Sequence, residues 1–306
     1  MNISKITLGT AQLGLNYGIS NIGGKPDFET SLKLIKFSYK NGITSFDTAP
    51  IYGNSEKILG AFISSEAIKA NHKLTIISKL STVNIKEKIT FDAVYKFIRH
   101  QIIQSLKNLK SKNISFYLIH NASDIFLKDG IVIECLDHIK NEGLINHIGI
   151  SVYHPDEVKA ALNFKEIDSI QIPINIFDQR CIKTNLLKEL SKKNYKIFAR
   201  SIFLQGLFFI NPKNLPTNLE LAKKPLKKIK KISNQYQISI AKLAFLFIRD
   251  IPEITSLVFG AEKIEQIKEN LEMLKEPPIP CELSKLIMEE FENLPEKIIN
   301  PSMWNK

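Results

Sequence analysis

Residues 28–49, FETSLKLIKFSYKNGITSFDTA, contain a helix, a turn and a strand in immediate succession. Phe28, Leu32, Ile35 and Tyr39 recur at i, i+4, i+7 and i+11 behind Asp27, a spacing that predicts an amphipathic helix with an aspartate cap. Asn41-Gly42 supplies the stop. The short apolar run at 43–49 then reads as a strand. A helix feeding a strand at this spacing is the repeating unit of a parallel sheet.

The unit recurs from one end of the chain to the other. Strands are predicted at 5–11, 43–49, 74–80, 114–120, 147–153, 168–175, 195–203 and 254–260. Between them Val94, Ile98, Ile102, Leu106 and Leu109 repeat the helical spacing, Pro155 marks a helix start, 186–190 and 240–248 read as helices, and Ile264, Ile267 and Leu271 form another apolar stripe. No low-complexity linker interrupts the series, so the expected fold is α/β, a closed (β/α)8 or TIM barrel spanning 1–306 as a single domain. A doubly wound open sheet is the alternative. It would bring a glycine-rich phosphate turn after its first strand, and Gly9-Thr10-Ala11-Gln12-Leu13-Gly14 does not match G-x-G-x-x-G.

Composition narrows the function classes. Among 306 residues, 44% are apolar and 24% charged, with only 13 Gly and 13 Pro, which excludes disordered and collagen-like chains. Lys and Arg number 42 against 31 Asp and Glu, a formal charge of +11 that favours anionic partners without naming one. Cys135, Cys181 and Cys281 are far apart and form no CxxC, so neither a disulfide framework nor a metal site is expected. They are read as buried reduced thiols. With no signal-peptide pattern and no apolar run near the roughly 18 residues of a membrane span, a cytoplasmic location without a membrane partner is expected.

In a barrel the C-terminal ends of the strands share one mouth, and chemistry is sought there. The second strand ends at Asp47 with Tyr52 in the following loop, the third ends in Lys79 and the fourth in His120. A lysine closing a buried strand needs a partner, and Asp47 on the neighbouring strand is the natural one. A cation beside Tyr52 is expected to lower its pKa from about 10 toward working pH and make the phenol a usable proton donor. His120 can hold a carbonyl oxygen. Together they are what hydride addition to a carbonyl requires.

With these residues in view, the sequence resembles the aldo-keto reductase family: DTAPIYGNSE (47–56), the strand-ending Lys79 and the strand-ending His120 match the family's Asp, Tyr, Lys and His tetrad in order and spacing. The resemblance extends over nearly the whole chain. It implies an NAD(P)H-dependent oxidoreductase that reduces aldehydes or ketones, with Tyr52 as general acid, Lys79 and Asp47 tuning it, and His120 orienting the carbonyl.

The resemblance also implies a cofactor face. Gly9, Thr10, Ala11 and Asp47 lie at the first two strand ends, Ser151 in GISVY (149–153) and Gln171 in SIQIP (169–173) match the carboxamide contacts, and Val152 replaces the family's asparagine. Arg200, Ser201, Leu204 and Gly206 in ARSIFLQGL (199–207) match the pyrophosphate turn, with Arg200 where many members stack an aromatic ring on nicotinamide. Gly260, Ala261, Lys263, Gln266, Glu269 and Asn270 in FGAEKIEQIKEN (259–270) match the adenosine element, whose helix N-terminus would offer free N–H groups to a phosphate. Gly260, Ala261 and Gln266 replace the Lys, Ser and Arg of strongly NADP-selective members. With Lys263 as a compensating cation, NADP(H) is the favoured cofactor and NAD(H) the alternative.

Substrate contacts are expected from Tyr17, Tyr52, His120 and Phe203, while the tail tryptophan, Trp304, is read first as an anchor of the C-terminus and in the alternative as part of the pocket lining. The opening LGTAQLGLNYGISN (8–21) resembles bacterial members associated with surface-sugar metabolism, which favours a sugar or sugar-derived carbonyl. A long loop or helix insertion is expected at about 204–238 and a tail at about 295–306. Lys223, Lys224, Lys227, Lys228, Lys230 and Lys231 read as a solvated face or an electrostatic guide for a phosphate-bearing ligand, not a nucleic-acid surface, because no stacking module accompanies them. The expected partner is a small-molecule carbonyl and the expected state a monomer, with an oligomer left open. The rival function is a redox-sensing barrel that binds the nucleotide and turns over little.

Overall fold

Eight short parallel strands close on themselves in sequence order: β1 (Ile6–Gly9), β2 (Ser45–Asp47), β3 (Thr75–Leu80), β4 (Ile114–Ile119), β5 (Ile145–Ser151), β6 (Ile167–Pro173), β7 (Lys196–Arg200) and β8 (Ser256–Gly260). Each pairs with the next, and β1 pairs with β8 to complete the ring. The structure, a computed structural model, describes residues 3–21, 23–65, 74–85 and 89–304. The first two residues of the expected domain and the last two of the expected tail lie outside the described residues. The helices are α1 (Ala11–Gly14), α2 (Phe28–Lys40), α3 (Ser55–Ile63), α4 (Phe91–Leu109), α5 (Ile131–Asn141), α6 (Pro155–Ala161), α7 (Arg180–Lys183), α8 (Leu186–Lys192), α9 (Lys223–Tyr236), α10 (Ile240–Arg249), α11 (Ile264–Met273), α12 (Cys281–Glu290) and α13 (Glu296–Ile299).

Local sequence sets these boundaries. Asp27 caps α2 by accepting from the Thr30 amide at 2.7 Å, Thr90 caps α4 through the Ala93 amide, and Ser239 caps α10 through the Lys242 amide. Pro155 occupies the first turn of α6, where its missing N–H costs nothing. Most strands are shorter than their apolar runs. The run at 195–203 stops pairing at Arg200 because Ser201, Leu204 and Gln205 take left-handed backbone, with φ of 59°, 46° and 52°. The stretch after it contains two 3-10 segments (Leu204–Phe209 and Thr217–Ala222) and then α9.

Strand periodicity then sorts the core into two bodies. Ile77, Phe116, Leu118, Phe198 and Val258 pack together inside the barrel, while their sequence neighbours join the larger apolar layer between strands and helices. Continued at a period of two, the same inward face carries Gly9, Asp47, Lys79, His120, Ser151, Gln171, Arg200 and Gly260 at the eight strand ends. One end of the barrel is thus polar by register alone.

The loop after β2 is fixed by a close approach. A Cβ at Gly14 would collide with the Tyr52 carbonyl oxygen, and one at Gly53 (φ 58°) would lie 2.5 Å from the Gly14 carbonyl oxygen. Two glycines therefore let α1 lie directly against the Tyr52 loop. Two cysteines are buried as expected, but Cys281 opens α12 in an exposed position and corrects that expectation.

Candidate active site

Lys79, fully buried on β3, donates from Nζ to Asp47 Oδ1 at 2.6 Å and to the Thr48 carbonyl at 3.1 Å. Gln171 Nε2 on β6 donates to the same Asp47 oxygen at 2.9 Å. A buried charge pair is costly unless its lone pairs and protons are matched, and these contacts from β2, β3 and β6 supply two acceptors for the ammonium and two donors for one carboxylate oxygen. Burial pulls the Lys79 pKa below its ordinary value and Asp47 pulls it back. Behind the pair, Thr48 and Ser55 hydroxyls meet at 2.8 Å and close the two ends of the Tyr52 loop.

Lys79 Nζ lies 5.0 Å from the centre of the Tyr52 ring, and His120 stands edge-on to that ring at 6.0 Å between centroids. The four expected side chains are therefore together at one end of the barrel. Electrostatics differ from the expectation, however. Burial first, and the Asp47 carboxylate second, push the Tyr52 phenol above its ordinary value, and Arg200 opposes them. The phenol is held protonated. Desolvation, with help from Lys79 and Arg200, drives His120 down to about 3, so its imidazole is neutral across the physiological range.

A cavity of about 490 Å³ starts at Asp47, Tyr52 and His120, crosses the ends of β1 and β8, and finishes against α11 at Gln266, Glu269, Asn270 and Met273. Gly9, Ala11, Ser151, Gln171, Arg200, Ser201, Gly206 and Gly260 line it between, and Tyr17 and Phe203 line its mouth. Other expected contacts lie elsewhere. Trp304 is buried away from the cavity and donates from Nε1 to the Lys297 carbonyl at 3.0 Å, so it anchors the tail and is not a substrate contact. Thr10 turns its hydroxyl to the Asp47 carbonyl, Leu204 and Ala261 are packed in the apolar core, and Lys263 is an exposed helix cap. None of these four lines the cavity. Part of the donor set expected at the start of α11 is engaged, because Glu262 N and Lys263 N donate to Gln266 Oε1 at 2.8 and 3.1 Å. The lysines of α9 do not line the cavity either; Lys223 pairs with Glu220 at 2.7 Å and Lys228 with Glu290.

Sequence reading missed Gln12, Tyr153 and Glu262. Gln12 Nε2 bridges to Glu262 Oε1 at 2.9 Å, joining the turns after β1 and β8. Tyr153 lies under Arg200, whose guanidinium carbon is 4.2 Å from the ring centre. Arg200 also donates to the Val152 carbonyl at 2.9 Å, while its Nε is buried without a partner among the described residues. The available signal was the polar residue two or three places beyond a strand end. At the mouth, Tyr17 accepts from Gln205 Nε2 at 3.0 Å, and burial raises its phenol to about 12.

A nicotinamide dinucleotide fits this shape. The lining runs from Asp47, Tyr52 and His120 to α11, its two ends differ in chemistry, and Asn270 at the far end carries a buried Oδ1 without a partner among the described residues. Ser151, Gln171 and Arg200 would hold the end beside Tyr52, and the turn through Gly206 would hold the middle. Among the described residues no group of His, Cys, Asp and Glu could hold a metal, and no helix is long and apolar enough to cross a membrane.

The family model described as the aldo/keto reductase family matches residues 5–288. The oxidoreductase YqkF of Bacillus subtilis is 25% identical over 286 residues, covering 88% of this chain and 90% of that protein. An NADH-specific methylglyoxal reductase of Escherichia coli is 26% identical over 311 residues, covering 89% and 94%. An aldo-keto reductase of Bacillus halodurans, solved in its holo form, superposes with a TM-score of 0.76 at 19% identity, covering 99% of this chain and 96% of that one.

Removing one member of the buried pair leaves the other charge uncompensated, so Asp47→Leu and Lys79→Met should each destabilise by about 3–5 kcal/mol in urea unfolding, and the double change by less than either. Additive losses would contradict that coupling. For His120 the unfolded chain takes up a proton first as pH falls, so the stabilisation from its neutral form is complete above pH 6.5 and is lost toward about 3. His120→Gln should therefore show a shallower fall in urea midpoint across that interval than the parent. Parallel curves would contradict the assignment.

Proposed function

The chain belongs to the aldo/keto reductase family, and on that premise we propose that it reduces an aldehyde or ketone with Tyr52 as proton donor. It is an oxidoreductase by family. The observation that carries the finer reading is the meeting of a protonated phenol, a neutral imidazole and a buried ammonium at one end of a cavity whose lining reaches α11.

A bound reduced nicotinamide supplies the hydride. The remaining steps belong to the protein. His120, neutral and edge-on to Tyr52, directs a ring N–H at the substrate oxygen and fixes it beside the phenol. As negative charge develops on that oxygen, Tyr52 gives up its proton. The phenol is a weak acid while the site is intact and neutral, so it holds the proton until the charge appears. The phenolate left behind faces the Lys79 ammonium, which Asp47 and Gln171 hold in place, and Arg200 adds a second positive charge from the cavity wall. Proton return from solvent resets the site.

Tyr17, Tyr153, Arg200 and Gln205 give the mouth a wall rich in hydrogen-bonding groups, which supports a polyhydroxylated carbonyl such as a sugar aldehyde or keto-sugar. Every group in this reading comes from one barrel, so a single chain is the working unit. The unpaired cysteines fit a reducing cytoplasm. Between NADP(H), which the resemblance favours, and NAD(H), the far end of the cavity decides.

Tyr52→Phe should cut carbonyl reduction by about 10²–10⁴-fold, measured as nucleotide oxidation against aldehydes, ketones and sugars. Nucleotide affinity should stay within about twofold, since the ring and its packing remain. Substantial reduction by the variant would remove Tyr52 as the acid, and a parent protein that binds nucleotide without turnover would favour a sensor. Arg200 places a cation against the nicotinamide end, so oxidised nucleotide should bind more weakly than reduced in titration calorimetry. Equal affinities would remove that role.

A further inference from the structure

We propose that the far end of the cavity is built for an adenosine ribose without a 2′-phosphate, so that the chain takes NAD(H) and excludes NADP(H). The proposal rests on the dinucleotide reading above. With the reactive end of such a ligand at Tyr52, its adenosine must lie against α11, where the cavity finishes.

A phosphate at a helix start needs free N–H donors and a tolerant charge environment. Neither is present. The Gln266 side chain folds back and accepts from both Glu262 N and Lys263 N, so a phosphate would have to displace the helix's own cap. Two carboxylates, Glu262 and Glu269, line this end. Lys263 caps α11 from outside the cavity wall, and among the described lining residues Arg200, at the opposite end, is the only lysine or arginine. With 42 Lys and Arg in the chain, that distribution is not a shortage of cations. A 2′-phosphate brought here would meet like charge in a partly enclosed space.

A ribose hydroxyl meets the opposite situation. Gln12 holds one oxygen of Glu262 at 2.9 Å, which fixes the carboxylate and leaves its second oxygen without a partner among the described residues. A fixed carboxylate is the acceptor that a 2′-hydroxyl donor requires. Asn270 supplies the independent sign of a ligand. It is only 4% exposed, its Nδ2 donates to the Gln266 carbonyl at 2.6 Å, and its Oδ1 has no partner among the described residues, so a donor such as the exocyclic amine of adenine completes it.

Titration calorimetry of the full chain with NADH and with NADPH tests this without turnover. NADH should bind at least about tenfold more tightly, and NADPH should gain affinity as salt screens the carboxylates. Glu262→Gln with Glu269→Gln should narrow the ratio to within about threefold by strengthening NADPH, while Lys263→Gln leaves NADPH affinity unchanged. NADPH binding as tightly as NADH, a ratio unmoved by the double change, or a selective loss of NADPH affinity in Lys263→Gln would each overturn the proposal and leave the dinucleotide reading standing. Binding of neither nucleotide would overturn both.

Discussion

A lysine with no solvent exposure, closing a strand inside a barrel, sets the terms for the rest of the site. Its charge has to be met on the spot, and the contacts that meet it come from two other strands: Asp47 and the Thr48 carbonyl from the end of β2, and Gln171 from β6 through the shared aspartate oxygen. Losing one partner of such a pair costs about 3–5 kcal/mol, so the pair locks strand ends that the barrel's apolar interior alone would leave loosely specified. Tyr52 is carried by the loop that begins at this lock. The Thr48–Ser55 contact closes the loop, and the approach of Gly14 to the Tyr52 backbone presses it against the mouth.

Burial also determines which form of each titrating group is present. It keeps the phenol protonated and the imidazole neutral, while the ammonium and the guanidinium of Arg200 stand ready for charge that appears only during reaction. The expected lowering of the Tyr52 pKa by Lys79 does not occur, because burial raises the phenol first and the aspartate that holds the lysine raises it further. A donor that keeps its proton until an oxyanion forms is a consistent acid for carbonyl reduction.

The barrel was legible because eight apolar runs alternate with helical stripes, and because the inward face of a strand has a period of two. That period also brings Asp47, Lys79, His120, Ser151, Gln171 and Arg200 to one level, so reading the polar residue near each strand end found the reactive part of the cavity wall, with Lys79 buried beside it. The misses have a common cause. Gln12, Tyr153 and Glu262 sit in the turns just past the strands, where backbone direction and not periodicity aims the side chain. Lys263 was misjudged for the same reason: residue type suggested a ligand contact, while chain geometry left it as an exposed cap; Trp304 took the anchoring role, turned to the Lys297 carbonyl. The capping of α11 by Gln266 was invisible too, since a glutamine three residues into a helix reads equally as a phosphate contact or a capping partner.

The most direct test is a crystal structure of the chain with a reduced nicotinamide nucleotide. The account predicts the nicotinamide beside Tyr52 and His120, the adenosine against Asn270, and the Lys79–Asp47 contact intact beneath them. A nucleotide bound in the reverse sense or outside this cavity, or a Tyr52 ring turned away from Lys79, would contradict it.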